Sequence, residues 1–301
     1  MSDAPDDGSA NAPRRHDAVE TAAPLDTAAD TTAGLVEPQP DSGGKAETDS
    51  DHGFDLARWL SQIRLATSFL TILPVGAAIA ASPAEVAASF GWFPLLGFGI
   101  GLVLCAIDWA LAAIFGNAMR AVLIVLILTV LTGALHLDGL ADTADALGAG
   151  RDRTRVLEIL RDSRIGSFGA IALVFVIVLK AFALAGASGA PRYAAIYMAT
   201  GLGRWAMVAL ASGLDYLRPD GAGAAMLSRD RRRNLKIATL TAMIAIAPLM
   251  TLHALRACVV AALVSLAMRS FYSRWVGGVT GDLIGACGEL VEIAVLVGLS
   301  T

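Results

Sequence analysis

The string HLDGLADTADAL (136–147) places Asp138, Asp142 and Asp145 four and then three residues apart. On an α-helix, at about 100° per residue, the three carboxylates fall within about 60° of one another, so one helical face presents three hard anionic oxygen groups. Such a face calls for a cation, and Mg²⁺, or Mn²⁺ as second candidate, matches oxygen donors that also leave room for water and substrate phosphates. His136 lies on the opposite side of the same helix. It is read as a contact to the substrate or to a ligand residue, not as a metal ligand.

Further polar groups follow in order. The stretch RTRVLEILRDSRIGSFG (153–169) sets Glu158 and Asp162 four apart, which predicts one helical face, with Arg161 and Arg164 beside them. Guanidinium groups near acidic metal ligands are what a diphosphate substrate needs, because their forked donors match phosphate oxygens. Arg204, in TGLGRWAM (200–207), stands near the middle of an apolar segment, where a charge marks an interior partner or a substrate. Lys180 is placed similarly but is able to snorkel, which gives it the weaker claim to a functional role. In GGVTGDLIGACGELVE (277–292), Asp282 and Glu289 are seven apart and are expected on one face as a second half-site, either for metal or for the base. The bland alternatives are a solvated acidic helix end and a loop that is basic only to satisfy membrane topology. The second accounts for the arginines but not for acids at helical spacing.

The elements that must hold these groups are membrane helices. Of the 301 residues 55% are hydrophobic, and the mean hydropathy is +0.62, well above the average soluble chain. The expected fold is all-α, a polytopic integral membrane helical bundle with a disordered N-terminal tail. Residues 1–53 carry 12 acids against three Lys/Arg and no aromatic side chain, so they form a disordered acidic extension; residues 54–301 carry 15 against 20 and form the membrane-embedded domain. Taking roughly 20 apolar residues per crossing, spans are predicted at 90–115, 119–137, 166–189, 192–213, 235–254, 255–270 and 283–300. The arginine-rich loops 138–165, 214–234 and 271–282 then fall on one side, which the positive-inside rule makes cytoplasmic. The run LATSFLTILPVGAAIAA (65–81), interrupted by Pro74 and preceded by RWLSQIR, is predicted to be re-entrant or to lie on the surface. Gly97, Gly101, Gly281 and Gly285 are read as small-residue helix contacts. The three cysteines stand apart in apolar stretches, without metal or disulfide spacing.

The blocks HLDGLADTADAL, LEILRDSRIGSFG and GGVTGDLIGACGE resemble the signature blocks of the cobalamin synthase family, the adenosylcobinamide-GDP ribazoletransferases. FLTILPV (69–75) and FPLLGFGIG (93–101) are similar to its N-terminal blocks, so the resemblance covers about residues 60–300. LRPDGAGAAM (217–226) departs from it: Arg218, Gly221 and Gly223 match, while Pro219 and Asp220 stand in the middle. The resemblance implies a multi-pass enzyme of the bacterial inner membrane with its site facing the cytoplasm. That enzyme joins adenosylcobinamide-GDP to α-ribazole or its 5′-phosphate with release of GMP and formation of adenosylcobalamin or its 5′-phosphate. It implies Mg²⁺ on Asp138, Asp142 and Asp145, catalytic roles among Asp282, Glu289, Glu158 and Asp162, and substrate contacts from His136, Arg161, Ser163, Arg164, Arg204, Arg218 and Thr280. The partners are then these small molecules and membrane lipid, with no nucleic acid; a homo-oligomer is compatible with the sequence. The rival readings are a CDP-alcohol phosphotransferase-like enzyme, against which Ala141 stands next to Asp142 instead of that family's Ala-Arg, and an ion-coupled transporter.

Overall fold

The structure is a computed structural model that describes residues 56–75, 81–162, 164–218, 231–249 and 251–300. The expected N-terminal disorder, the substrate contact at Ser163 and the matches at Gly221 and Gly223 lie outside the described residues. Those residues fall in one unit, Gly53–Thr301.

The described chain is helical throughout: α1 (Leu56–Leu70), α2 (Pro83–Ser89), a 3₁₀ turn (Phe90–Trp92), α3 (Phe93–Leu111), α4 (Asn117–Leu131), α5 (Leu135–Gly148), α6 (Arg153–Ile159), α7 (Ser167–Gly186), α8 (Gly189–Gly213), α9 (Arg231–Ile246), a second 3₁₀ turn (Ala247–Leu249), α10 (Leu252–Trp275) and α11 (Gly281–Leu299). Among the described residues there is no strand, only one parallel bridge between Tyr216 and Val279. Helix starts follow local chemistry. Before α2, Ser82 and Glu85 exchange side-chain and backbone hydrogen bonds in a capping box, with Pro83 in the first turn.

Helix α8 is the central post. A span-length window of it is 78% buried, against 28% for α7 and 22% for α10, which places the latter two at the lipid-facing periphery. Its contact with α3 depends on glycine. A Cβ at Gly97 would stand 2.5 Å from the Thr200 carbonyl oxygen, and one at Gly101 2.5 Å from Thr200 Oγ1, so the small-residue reading holds there. Gly281, in contrast, faces open space.

Among the described residues, four helical stretches are long and apolar enough to cross a membrane: Pro83–Leu111, Ser167–Gly186, Gly189–Gly213 and Leu252–Trp275. The seven expected spans are therefore corrected. The expected span 119–137 is broken, because α4 and α5 meet at 91° and count as a fifth crossing only if taken together. The break is made at Gly133 (φ 59°) and Ala134 (φ 56°), and the Ala134 amide donates to the Thr129 carbonyl at 2.9 Å. A left-handed alanine costs about 1–2 kcal/mol, so this corner is held by its surroundings; the Ile72 amide donates to the Leu131 carbonyl beside it. Helix α9 has only 16 residues and stops before the 3₁₀ turn containing Pro248. Helix α11 carries Asp282, Glu289 and Glu292 in 19 residues. Of the run 65–81 the structure describes 65–75 and Ala81; there α1 ends at Leu70, and Arg64 Nη2 reaches forward to the Val75 carbonyl at 2.8 Å.

Two clusters of charge lie buried between the helices. Where α3, α4, α7 and α8 meet, fully buried Asp108 receives Arg192 Nη2 at 2.7 Å and Nε at 2.9 Å, with Arg120 Nη2 at 3.5 Å. Further along the bundle, Lys180 Nζ is 2.5 Å from both Glu289 and Glu292, and Arg204 pairs with Glu292. Unpaired charges at such depth would cost several kcal/mol each, and here two cations meet two carboxylates. Lys180 thus does not snorkel; it is 3% exposed and paired.

Candidate active site

The acidic block forms a helix as its spacing requires, since α5 runs unbroken through Asp138, Asp142 and Asp145. Its backbone lies on the first turn of α11: a Cβ at Gly139 would stand 2.8 Å from the Asp282 carbonyl oxygen. Asp282 itself follows Thr280, whose hydroxyl caps α11 by accepting from the Leu283 amide and donates to Asp282 Oδ2 at 3.2 Å. The Tyr216–Val279 bridge brings the chain after α8 alongside. Arg218 Nη2 then donates to Asp282 Oδ2 at 2.6 Å and to the Leu160 carbonyl at 2.5 Å. One guanidinium thus fastens together the segment after α6, the segment after α8 and the start of α11. Three polar blocks far apart in sequence meet at one end of the bundle.

The charges there do not balance. Asp138 is exposed, and neither its side chain nor that of Asp142 has a hydrogen bond or ion pair among the described residues. The Asp142 carboxyl is pushed up to about 6, first by partial burial and then by Asp138, Asp282 and Asp145, with Arg218 opposing. Asp145 is differently employed: its two oxygens accept from the Gly166 amide at 2.7 Å and the Gly169 amide at 2.8 Å, which caps the N-terminus of α7. Among the described residues no three acidic, histidine or cysteine side chains are grouped to hold one ion. Mg²⁺ does not require three. It keeps several waters and takes one or two carboxylates together with substrate phosphates, a demand that Asp138 and Asp142, partnerless and mutually repelling, satisfy.

The remaining expected residues divide by position. Glu158 and Asp162 do not share a helical face, because α6 ends at Ile159. The chain turns through Arg161 N to Glu158 O and Asp162 N to Ile159 O, and the Asp162 carboxylate then accepts from the Arg164 amide and guanidinium. Glu158 pairs with Arg155 at 3.6 Å on the surface, and Arg161 lines an open groove with Arg153 and Glu158. Arg164 and Arg161 are exposed. Glu289 does not join Asp282: it is buried on Lys180. Arg204 is an interior residue, held between Glu292 and His136, whose Nδ1 is 3.5 Å from Arg204 Nη2. Glu292 was not anticipated, although Glu289 and Glu292 lie three apart in an apolar helix, a spacing that signals one shared partner. Beside Asp138 and Asp282 opens a cavity of about 130 Å³, whose walls include Phe69, Phe90, His136, Met207 and Ile284. The sequence had given no reason to group these.

A family model described as cobalamin-5-phosphate synthase matches residues 62–300. Curated relatives carry the name adenosylcobinamide-GDP ribazoletransferase. That of Azorhizobium caulinodans is 40% identical over 254 residues, covering 81% of this chain and 96% of the relative. That of Roseiflexus sp. is 39% identical over 249 residues (78% and 87%), and that of Desulforamulus reducens 37% over 236 residues (78% and 94%). No solved structure matches. By the extent of the family match and these identities, the chain belongs to the cobalamin-5-phosphate synthase family.

Proposed function

We propose that the protein is an Mg²⁺-dependent transferase that moves adenosylcobinamide phosphate from adenosylcobinamide-GDP to α-ribazole or its 5′-phosphate and releases GMP. The observation that carries this reading is the meeting of Asp138, Asp142, Asp282 and Arg218 beside an apolar cavity. It joins the needs of a diphosphate to those of an apolar substrate. Mg²⁺ on Asp138 and Asp142 would neutralise the diphosphate and fix its oxygens. Arg161 and Arg164, exposed on the neighbouring segment, and Arg218 bind phosphate oxygens through their forks. A ribose hydroxyl of ribazole attacks the cobinamide-linked phosphorus. The new P–O bond forms as the bond to the GMP oxygen breaks, GMP leaves with that electron pair, and Asp282, oriented by Thr280 and Arg218, takes the hydroxyl proton. Glu289 serves this site indirectly, by holding Lys180 and the α7–α11 contact.

The site faces the cytoplasm across the bacterial inner membrane in this proposal, supported by the arginines of the segments around it. Purified protein given adenosylcobinamide-GDP, α-ribazole and Mg²⁺ is expected to release GMP in step with cobalamin formation. GMP release that ignores ribazole, or none at all with folded protein, would refute the assignment.

A further inference from the structure

We infer that the cavity walled by His136 is the subsite for the flat heterocyclic base of ribazole, with His136 Nε2–H as the donor to that base's free ring nitrogen. The inference rests on the transferase reading above and adds the place and recognition of the acceptor nucleoside.

His136 is 3% exposed. Its Nδ1 faces Arg204 Nη2, and a guanidinium has donors only, so Nδ1 is the lone-pair nitrogen and the proton sits on Nε2. Arg204 cannot turn away freely, being paired with Glu292. The tautomer is therefore set from behind, by charges in the bundle interior. Nε2 has no partner. A buried donor without an acceptor is costly, and a ligand that supplies one acceptor removes the cost.

The walls select what kind of ligand that is. Phe69, Phe90, Leu135, Met207 and Ile284 are apolar, and the volume is about 130 Å³. An aliphatic cavity of about 150 Å³ takes up benzene, so the space is on the scale of a single flat aromatic group and is far too small to enclose a corrin. Guanine would bury an edge of several donors and acceptors against a lining whose polar side chains besides His136 are Asp138, Tyr216 and Asp282, and in this reading Asp138 is taken up by the cation and Asp282 by Arg218. A benzimidazole-type base has hydrophobic faces and, once one nitrogen carries the ribose, a single acceptor nitrogen. Position agrees with this. His136 lies two residues before Asp138 on α5, and Asp138 and Asp282 also border the cavity. A ribose attached to a base in the cavity therefore opens onto the carboxylates where the phosphorus is held.

The test uses the full-length enzyme in nanodiscs and two α-ribosides that differ at one atom, benzimidazole riboside and its indole analogue, in which the acceptor nitrogen is C–H. The expected result is a KM at least about tenfold higher for the indole riboside, with the KM for adenosylcobinamide-GDP unchanged. Met207→Phe, which fills the cavity, is expected to raise the KM for ribazole about tenfold or more and again to spare that for adenosylcobinamide-GDP. Equal KM values for the two ribosides would overturn the inference, as would a Met207→Phe enzyme impaired only towards adenosylcobinamide-GDP, which would give the cavity to the corrinoid or its guanine. The riboside pair requires no variant to fold. Absence of GMP release with every acceptor would instead sink the transferase reading itself.

Discussion

The cluster around Asp108 and the cluster around Asp142 are built from the same residue types and differ in balance. Asp108 is fully buried, receives two hydrogen bonds from Arg192 and lies 3.5 Å from Arg120. Asp138, Asp142, Asp145 and Asp282 lie together at a half-open end with Arg218 as the cation among them. Burial explains the first arrangement, since a charge out of water must be paired. It cannot explain the second, where neighbouring carboxylates that lysines could have neutralised add to burial in raising the proton affinity of Asp142. Compensated charge marks what holds the helices together, and uncompensated charge marks what awaits a ligand.

Substitutions at the two ends sharpen that contrast. The largest effect is expected from Arg192→Ala, which strands Asp108 in the interior and should cost about 3–5 kcal/mol of stability, read as a lowered thermal midpoint; the folded fraction should keep both KM values. A melt unchanged from wild type would remove the structural role. Asp138→Asn should do the reverse, lowering GMP release by about 10²–10³ while the melt stays level or rises as repulsion is relieved. Loss of stability with turnover intact would erase the distinction between the ends.

Protons offer a gentler probe. Because the Asp142 carboxyl is raised to about 6, it becomes protonated as pH falls through that value and then no longer binds a cation. The Mg²⁺ concentration for half-maximal rate should rise on that acid side and level off above it; a flat profile would exclude Asp142 from the metal site. The smallest effect is expected from Arg164→Lys. Its exposed pair with Asp162 contributes little to folding, but the fork is lost, so the KM for adenosylcobinamide-GDP should rise several-fold with the melt unchanged.

What the sequence showed of this plan follows from the range of the forces involved. Helical spacing is local, so the common face of Asp138 and Asp142 on α5 was readable, and Arg204 in an apolar run announced an interior partner. The partner was not readable, because Glu292 reaches Arg204 only through the packing of α11 on α8. The capping role of Asp145 was hidden for the same reason, because the α7 N-terminus that it engages lies more than twenty residues on. The corner at Gly133 and Ala134 was hidden inside an unbroken apolar run, where hydropathy registers length but not direction. Asp162 fell off its expected face because it caps the turn to Arg164 instead of prolonging α6. The cavity around His136 draws on α1, the turn after α2, α5, α8 and α11, and no single segment carries its signature.

The central claim, that the uncompensated end binds the cation, is tested most directly by Mn²⁺ titration followed by electron paramagnetic resonance, without reference to turnover. The wild-type enzyme should show protein-bound Mn²⁺ that tightens when adenosylcobinamide-GDP is added. The Asp138→Asn, Asp142→Asn double variant, folded by its melt, should show neither. Binding in the double variant equal to that of wild type would contradict the account.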